Sequence, residues 1–328
     1  MRDLSVDSLK GLAIGFVVIG HAVIGLQTKN ILGNGWDSVV AFIYSFHMPL
    51  FFFCSGFFIS TQIEKLSSIG FFQSRFWRLI YPLVLWTYIF LGIKYLAGSF
   101  QNTPIEFADL LRLPLPPYAH LWFLWALFIT HVVFYALSKA GLTNRSSNIV
   151  LFVLTAIMTS LSLWGNILPP LLAQGMGHLV FLLFGCLIYT TPQIRSRLDT
   201  GCAVAVSGVV FVALEILYLR LLPYPEIKFL CALTGCLFFF ALCLFISRQF
   251  GNGSIVTRTM SIIGTASMAI YLMHTIISAA FRESLVHLGN TDPVLHVLGG
   301  SLLGLVGPLA VYMMLPRRSL VTRTLGLS

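Results

Sequence analysis

Two ionisable side chains share one face of the first apolar segment, which covers residues 6–25. Lys10 and His21 are 11 residues apart, which makes about three helical turns and a rise of about 16 Å. Asp7 falls within about 40° of the same face. Ionisable groups inside a membrane are costly and are usually functional or paired. We therefore expect Lys10 at the cytosolic interface and His21 near the middle of the bilayer.

Two interpretations of His21 are open from this segment alone. A histidine on a transmembrane helix can serve only as a hydrogen-bonding partner for another helix, and for a lone histidine this is the better interpretation. Histidine is also the commonest general base, because it exchanges a proton near neutral pH. The motifs that accompany His21 favour the second interpretation.

Two further motifs lie towards the cytosolic side. The second apolar segment places His47 near the depth expected for the first histidine, and Ser55 and Gly56 on its inner half. Glycine there lets a backbone or a ligand approach closely. Arg75 and Arg78 stand at the cytosolic entrance of the third segment, three residues apart, and are expected to be neighbours on a helix surface. Paired arginines suit phosphate recognition, although taken alone they would fit the inner membrane surface better.

The outer side carries a second set of polar residues. His120 and Trp122 open the fourth segment, where the aromatic ring also suits an interfacial belt. Tyr271 and His274 are three residues apart in the outer half of the ninth segment. Among the other histidines, His178 is a weaker candidate, and structural or loop roles are expected for His131, His287 and His296.

The depths of these residues form a pattern. Positive groups collect at the cytosolic mouth, and histidines collect from the middle of the membrane outwards. An anionic cofactor with a long, thin arm fits this pattern, with its phosphates at Lys10, Arg75 and Arg78 and its reactive end at His21. An acyl-CoA has this shape.

The elements that must position these residues are membrane-spanning helices. Of 328 residues, 57% are hydrophobic and 9% are charged, against about 25% charged in soluble domains. So few charges cannot cover a soluble surface, so most of the outside must face lipid. The net charge of +9 is therefore not a sign of nucleic-acid binding. Ten apolar segments are long enough to cross, at about 9–27, 38–60, 79–97, 120–138, 149–165, 177–190, 201–220, 227–247, 260–281 and 295–315.

The sequence thus predicts an all-α, polytopic membrane helix bundle of about ten transmembrane helices. With both termini in the cytosol, 14 of the 20 basic residues fall on the cytosolic side, as the positive-inside rule requires. The first segment is expected to be an uncleaved anchor, and residues 1–328 a single domain with no fused soluble domain. The longest connections are expected at about 98–119 outside and 61–78 in the cytosol.

The six cysteines all fall inside apolar runs and show no metal-ligand spacing. They are expected to act as small hydrophobic residues, and no metal is predicted.

Five motifs together resemble the acyltransferase-3 family of membrane acyltransferases, with the fucose 4-O-acetylase-like subgroup as the nearest likeness. They are Asp7-Ser8-Leu9-Lys10-Gly11 with His21, residues 46–57 (FHMPLFFFCSGF), Arg75-Phe76-Trp77-Arg78, His120-Leu121-Trp122-Phe123-Leu124, and residues 267–274 (SMAIYLMH). The resemblance covers nearly the whole chain. The sequence differs from the family pattern at Lys10, where relatives often have arginine. The positive charge is kept there, but a bidentate contact with phosphate is lost. Many relatives also carry a fused extracytoplasmic hydrolase-like domain.

The resemblance implies transfer of an acyl group, usually acetyl, from cytosolic acyl-CoA to sugar hydroxyls of surface glycans or their lipid-linked precursors. His21 is then the expected general base or transient acyl carrier, with Lys10 and Asp7 at the entrance of the catalytic helix. Cofactor contacts are expected from Lys10, Arg75, Arg78, Ser55 and Gly56. Acceptor contacts are expected from His47, His120, Trp122, Tyr271 and His274.

The implied location is the bacterial plasma membrane, in a multi-pass arrangement among membrane lipids, with homo-oligomerisation left open. A secondary transporter would also carry intramembrane histidines, but the sequence shows no inverted-repeat hydropathy or paired broken helices. A non-enzymatic component of a polysaccharide export assembly is the third alternative. It would explain the aromatic belt but not the arginine pair.

Overall fold

The computed structural model describes residues 3–98, 106–111, 114–221, 224–251, 253–315, 322 and 324–327. None of these residues lies in a β-strand. Their α-helices are α1 (Leu4–Gln27), α2 (Asp37–Lys65), α3 (Ser68–Arg75), α4 (Tyr81–Ala97), α5 (Trp122–Lys139), α6 (Arg145–Ser160), α7 (Trp164–Ile167), α8 (Pro170–Tyr189), α9 (Pro192–Leu198), α10 (Gly201–Arg220), α11 (Pro225–Phe250), α12 (Ile255–Thr265), α13 (Ser267–His287) and α14 (Pro293–Met314). The predicted all-α membrane bundle is confirmed.

Eight helical stretches within the described ranges are long and apolar enough to cross a membrane. They are α1, α2, Ser68–Ala97, Ala119–Lys139, α8, α10, α11 and α14. The pair α12 and α13 makes a ninth if it counts as one span, although the helix breaks at Ala266. The remaining predicted segment corresponds to α6, which has 16 residues and is shorter than a usual span. The ten predicted apolar segments are therefore all helical.

Two boundaries differ from those predicted. The third span begins at Ser68, through α3 and a π-helical turn at Phe76–Ile80, so the expected cytosolic connection over 61–78 is wrong. The side chain of Phe71 is fully buried, which anchors this extension. The sixth span begins at Pro170 rather than near residue 177, because proline fits the first turn of a helix, where its missing N–H is not needed.

The helices group into two compact units, each assembled from separate stretches of the chain. The first unit comprises Met1–Ala13, Tyr44–Arg75 and Trp125–Thr265, and the second comprises Ile14–Ile43, Phe76–Leu124 and Ala266–Ser328. Nothing tests the prediction of a single domain, which stays a prediction.

Five of the basic residues counted above for the orientation in the membrane lie outside the described residues. They are Arg2, Arg112, Arg317, Arg318 and Arg323.

In the first unit, two glycines set the contact between α2 and α8. A Cβ added to Gly56 would collide with the carbonyl oxygen of Leu182, and one added to Gly185 would collide with that of Phe53. The two backbones therefore touch, as is common where small residues meet between membrane helices. A core of large side chains surrounds this crossing, including Ile59, Phe71, Phe134, Leu182 and Leu183.

A similar contact holds the beginning of α1 against α12 in the same unit. A Cβ on Gly11 would collide with the carbonyl oxygen of Met260, and one on Gly264 with that of Asp7. The turn of α1 that carries Asp7 and Lys10 is therefore fixed by backbone contact. This contact gives the Asp7-to-Gly11 motif a packing role beside any chemical one.

The second unit is built around α13 and α14, which pack along their lengths. Ser278 of α13 donates a hydrogen bond to the carbonyl oxygen of Gly300 on α14, at 2.8 Å. Five residues further along α13, Glu283 accepts a hydrogen bond from Lys29 at 2.9 Å. Since Lys29 follows directly on α1, this ion pair ties the end of α1 to α13.

Candidate active site

Three histidines from distant parts of the sequence meet in the second unit. The ring centroids of His21 and His274 are 5.2 Å apart, those of His120 and His274 are 5.3 Å apart, and those of His21 and His120 are 5.6 Å apart. His120 and His274 are buried, and His21 is partly exposed. We call these three residues the histidine cluster. The sequence predicted chemistry at His21 and acceptor contacts at the other two, and the fold brings them together.

A short 3-10 turn, Ala119–Leu121, positions His120. Ala119 has a positive φ of 47°, a conformation that is uncommon for a residue with a side chain. Tyr271 donates a hydrogen bond from its hydroxyl to the carbonyl oxygen of His120. The ring of Phe90 packs edge-on against the imidazole, with centroids 5.0 Å apart. The backbone and the ring of His120 are thus held separately.

The hydrogen bonds of His274 indicate its tautomer. Its Nδ1 lies 2.9 Å from the carbonyl oxygen of Ile270 and 2.8 Å from that of Tyr271. Carbonyl oxygens only accept, so Nδ1 must carry the proton, and in a neutral imidazole Nε2 is left with a lone pair. The helix itself therefore turns His274 into a hydrogen-bond acceptor at Nε2.

Two nitrogens of the histidine cluster lack hydrogen-bond partners among the described residues. Nε2 of His120 and Nε2 of His274 are both buried and unbonded. Other buried polar atoms, such as Nδ1 of His296, also lack a hydrogen-bond partner among the described residues. What distinguishes the cluster is that two such nitrogens belong to adjacent rings beside His21. Buried polar groups are nearly always hydrogen-bonded, so a polar ligand in contact with these rings would satisfy them.

The histidine cluster is suited to moving a proton. Two neighbouring imidazolium rings would repel each other strongly in a medium of low dielectric constant. Three adjacent imidazoles can therefore hold at most one extra proton among them. Within the described part of the chain, no three His, Cys, Asp or Glu side chains are arranged to hold a metal ion.

A second polar group lies inside the first unit. Ser55 Oγ is 2.6 Å from Nε2 of His131, and Nδ1 of His131 is 3.1 Å from a guanidinium nitrogen of Arg75. Arg75 also donates to the side-chain oxygen of Gln62, and its guanidinium lies 5.0 Å from the ring centroid of Phe71. We call Ser55, Gln62, Arg75 and His131 the arginine network.

Arg75 and Arg78 have different environments. Arg75 ends α3 and is 5% exposed, whereas Arg78 is exposed on the π-helical turn. The spacing that predicted neighbouring arginines assumed a regular α-helix, and the π-helical turn at Phe76–Ile80 replaces that geometry. The phosphate-binding role of both residues stays a prediction.

Lys10 lies close to two side chains of the first unit. Its Nζ is 3.6 Å from a carboxylate oxygen of Asp7 and 5.0 Å from the ring centroid of Phe58. Lys10 is partly exposed and Asp7 is buried. The pairing of Asp7 with Lys10 agrees with the entrance role expected for the acid, although no contact with a cofactor tests it.

The other predicted site residues have the following places. His47 is buried in the first unit, edge-on to Tyr44 with ring centroids 4.5 Å apart. Trp122 is partly exposed at the start of α5, next to Phe123. Gly56 is accounted for by the contact of α2 with α8. The binding roles of these three residues stay predictions.

Two residues of interest were missed from the sequence. His131 was assigned a structural or loop role, yet it joins Ser55 to Arg75. Glu215, which was not considered, is buried on α10 and accepts a hydrogen bond from Ser45. Both lie inside apolar segments, and the cost of burying an ionisable group there was the signal that singled out His21.

Comparison with known proteins decides the family. The profile of the acyltransferase-3 family, described as an acyltransferase domain, matches residues 3–313. The chain belongs to the acyltransferase-3 family. It is thus a multi-pass membrane protein of an acyltransferase family, and the family match spans both compact units.

The chain is also similar to curated proteins over part of its length. It is 32% identical to Nodulation protein NolL of Mesorhizobium japonicum over 132 residues, covering 40% of this chain and 35% of that protein. It is also 32% identical to Nodulation protein NolL of Sinorhizobium fredii over 133 residues, covering 40% of this chain and 36% of that protein. Inner membrane protein YcfT of Escherichia coli K12 is 29% identical over 93 residues, or 26% of each chain. The chain thus matches about a third of the length of the NolL proteins. No solved structure matches it.

Proposed function

We propose that this chain is a membrane-bound O-acyltransferase that moves an acetyl group from cytosolic acetyl-CoA to a sugar hydroxyl. The acceptor is a cell-surface polysaccharide or its lipid-linked precursor, and the location is the bacterial inner membrane. The observation that carries the proposal is the histidine cluster, with two unpartnered buried nitrogens, in a chain of an acyltransferase family.

In this proposal His21 is the general base. It removes the proton of the acceptor hydroxyl while the hydroxyl oxygen attacks the carbonyl carbon of the thioester. The new C–O bond forms as the C–S bond breaks, and the proton passes from the imidazole to the sulfur of the departing CoA. The alternative route carries the acetyl group transiently on His21.

His274 and His120 support this step through their unpartnered Nε2 atoms. Because Nδ1 of His274 donates to backbone carbonyls, its Nε2 can accept a hydrogen bond from the neighbouring imidazolium that His21 becomes when it takes the acceptor's proton. Contacts with the sugar are also proposed for His47, Trp122 and Tyr271.

Cofactor binding is assigned to the positive residues on the cytosolic side. Lys10 and His21 belong to one continuous helix, α1, and are separated by a rise of about 16 Å. The phosphates of acetyl-CoA would lie by Lys10, Arg75 and Arg78, with Ser55 beside the arm that carries the thioester. Guanidinium and ammonium groups favour phosphate through charge-assisted hydrogen bonds.

Labelled donor tests the proposal directly. Membranes containing the wild-type chain are supplied with radiolabelled acetyl-CoA, and O-acetylated glycan is extracted and counted. We expect His21→Ala to lower the rate by about 10²-fold or more, the scale of a lost general base. His287→Ala is the matched control, because His287 is an exposed histidine at the end of α13 and should label normally.

Two results would contradict the proposal. Unchanged labelling by His21→Ala at equal expression would remove the chemistry from His21. Uptake of a glycan precursor by wild-type membranes without any acetylation would favour a transporter instead.

A further inference from the structure

The arginine network joins three helices of the first unit. Ser55 and Gln62 come from α2, Arg75 ends α3, and His131 lies in the middle of α5. Arg75 and His131 are 5% and 3% exposed. The core around them includes Phe71 and Phe134, both fully buried. Hydrogen bonds in such surroundings are stronger than in water and hold their groups in defined orientations.

The donors and acceptors of this network have one consistent assignment. A guanidinium has only N–H donors, so Nδ1 of His131, which faces Arg75 at 3.1 Å, must accept. A neutral imidazole then carries its proton on Nε2, and this nitrogen donates to Ser55 Oγ at 2.6 Å. A protonated His131 would direct an N–H against the guanidinium and lose this bond. The network therefore requires neutral His131.

This assignment has a consequence for Ser55. In a serine nucleophile activated by histidine, the imidazole nitrogen that faces the hydroxyl must be unprotonated to take its proton. Here that nitrogen already carries a proton, and the other nitrogen is engaged by Arg75. Ser55 accepts the bond from His131, so its own O–H is free to donate to a further acceptor. Ser55 is thus arranged as a donor towards a ligand and not as a carrier of the acyl group.

Arg75 is held in the same way from two sides. Gln62 accepts from one terminal nitrogen, His131 accepts from the other, and the guanidinium lies over Phe71. These contacts fix the plane of the guanidinium, which decides how its N–H groups meet a phosphate. His131 is hydrogen-bonded to both Arg75 and Ser55.

We infer that His131 is a positioning residue for the acyl donor, which orients the Arg75 guanidinium towards a donor phosphate and the Ser55 hydroxyl towards the same molecule. The inference rests on the proposed function, since it deepens the account of the donor site. It assigns no bond-making step to His131 or Ser55. Loss of His131 should therefore weaken donor binding through phosphate and leave the chemical step intact.

Two donors separate this role from a general structural one. Acetyl-CoA carries phosphates, whereas acetyl-pantetheine carries the same thioester arm without any phosphate. Steady-state constants are measured with both donors on the full-length chain in lipid nanodiscs. We expect His131→Leu to raise KM for acetyl-CoA about tenfold, which corresponds to about 1.4 kcal/mol, with kcat within about twofold of wild type. With acetyl-pantetheine, which keeps the arm beside Ser55 but lacks the phosphates, kcat/KM of His131→Leu should fall by about threefold at most.

Conservative variants and a matched control complete the test. In His131→Gln the side-chain amide offers both an acceptor and a donor, so most of the affinity for acetyl-CoA should return. Ser55→Ala should raise KM about threefold and keep kcat, the scale of one neutral hydrogen bond. His178→Phe is the control, because His178 is a histidine of the same unit that stacks on Phe52 and binds the carbonyl oxygen of Gln174. It should leave both constants unchanged.

Three outcomes would overturn the inference. The first is an unchanged KM for acetyl-CoA in His131→Leu. The second is a loss of kcat/KM with acetyl-pantetheine as large as the loss with acetyl-CoA. The third is an acetyl group found on Ser55 by mass spectrometry after rapid quenching. A wild type that transfers acetyl from neither donor would instead refute the proposed function. In that case the stabilisation of the chain by CoA against heat still tests the inference, since wild type should be stabilised more than His131→Leu. If His131→Leu fails to insert, His131→Gln and Ser55→Ala carry the same comparison.

Discussion

The two units treat their buried histidines in opposite ways. In the arginine network of the first unit, both nitrogens of His131 are engaged, one by Ser55 and one by Arg75. In the histidine cluster of the second unit, His120 and His274 each keep a buried Nε2 without a hydrogen-bond partner among the described residues. Leaving a buried polar atom unbonded costs about 1–3 kcal/mol. The satisfied histidine suits the holding of other groups, and the unsatisfied pair suits the binding and reaction of a substrate.

The largest effect that would test this contrast is in the second unit. His274→Phe keeps the size and flat shape of the ring but removes the acceptor nitrogen. We expect kcat to fall about 10²-fold, the lower end of what a group engaged in proton transfer contributes, while KM for the acetyl donor stays near the wild-type value. Steady-state kinetics in nanodiscs measures both constants.

Its control is the double variant His21→Ala with His274→Phe. Groups that act as one unit are strongly non-additive, so the double variant should be little slower than His21→Ala alone. Losses that multiply would show that the two histidines act independently, and the histidine cluster would not be a single catalytic group.

The next effect belongs to the first unit. Arg75→Met removes the charge but keeps an unbranched side chain against Phe71, and we expect KM for acetyl-CoA to rise about 30-fold with little change in kcat. A hydrogen bond to a charged group contributes about 1.5–3 kcal/mol, which is consistent with this size. Initial rates across donor concentrations provide the measurement.

Arg78→Met makes the same change at the exposed arginine, and its KM for acetyl-CoA is compared with that of Arg75→Met. Because Arg78 is exposed, solvent screens its charge, and an exposed pair contributes about 0–1 kcal/mol. We therefore expect KM for acetyl-CoA to rise by about fivefold at most. A larger effect from Arg78 than from Arg75 would reverse the ranking of the two arginines and break the contrast between the units.

The smallest effect concerns the support of the histidine cluster. Tyr271→Phe removes the hydrogen bond that the Tyr271 hydroxyl donates to the carbonyl oxygen of His120. Side-chain hydrogen bonds between membrane helices average about 0.6 kcal/mol, so a small loss of stability and a fall of about threefold in kcat are expected. Thermal unfolding and kinetics are compared on the same preparation. A loss in kcat as large as that of His274→Phe would mean that the hydroxyl contacts the substrate itself.

Much of the fold follows from the sequence because lipid imposes simple rules on it. Every backbone polar group in the hydrocarbon region must be bonded within its own segment, so a long apolar run becomes a helix whatever its neighbours are. The errors arose where local rules compete. The sixth segment is predicted to begin near residue 177, yet Pro170 begins α8, and the stretch before residue 79 is predicted to be a connection, yet α3 continues into the third span.

The sequence predicted which residues belong to the candidate site better than it predicted how they are arranged in space. His21, His120 and His274 were each named from cost of burial or motif resemblance, because an ionisable residue in an apolar run is visible in the sequence. His131 carried the same signal and was passed over, since no local motif distinguishes a histidine that bonds a buried arginine from one that only packs.

The sequence alone determined that this is a helical membrane protein, located its apolar helices, and placed Lys10 and His21 on one face of the first one. Hydropathy and helical periodicity are properties of neighbouring residues, so they can be read without a structure. Only the tertiary structure decided which side chains meet, because His21, His120 and His274 are brought together by helices far apart in the chain. It also decided the proton positions, since the tautomers of His131 and His274 depend on whether a guanidinium or a backbone carbonyl lies beside Nδ1.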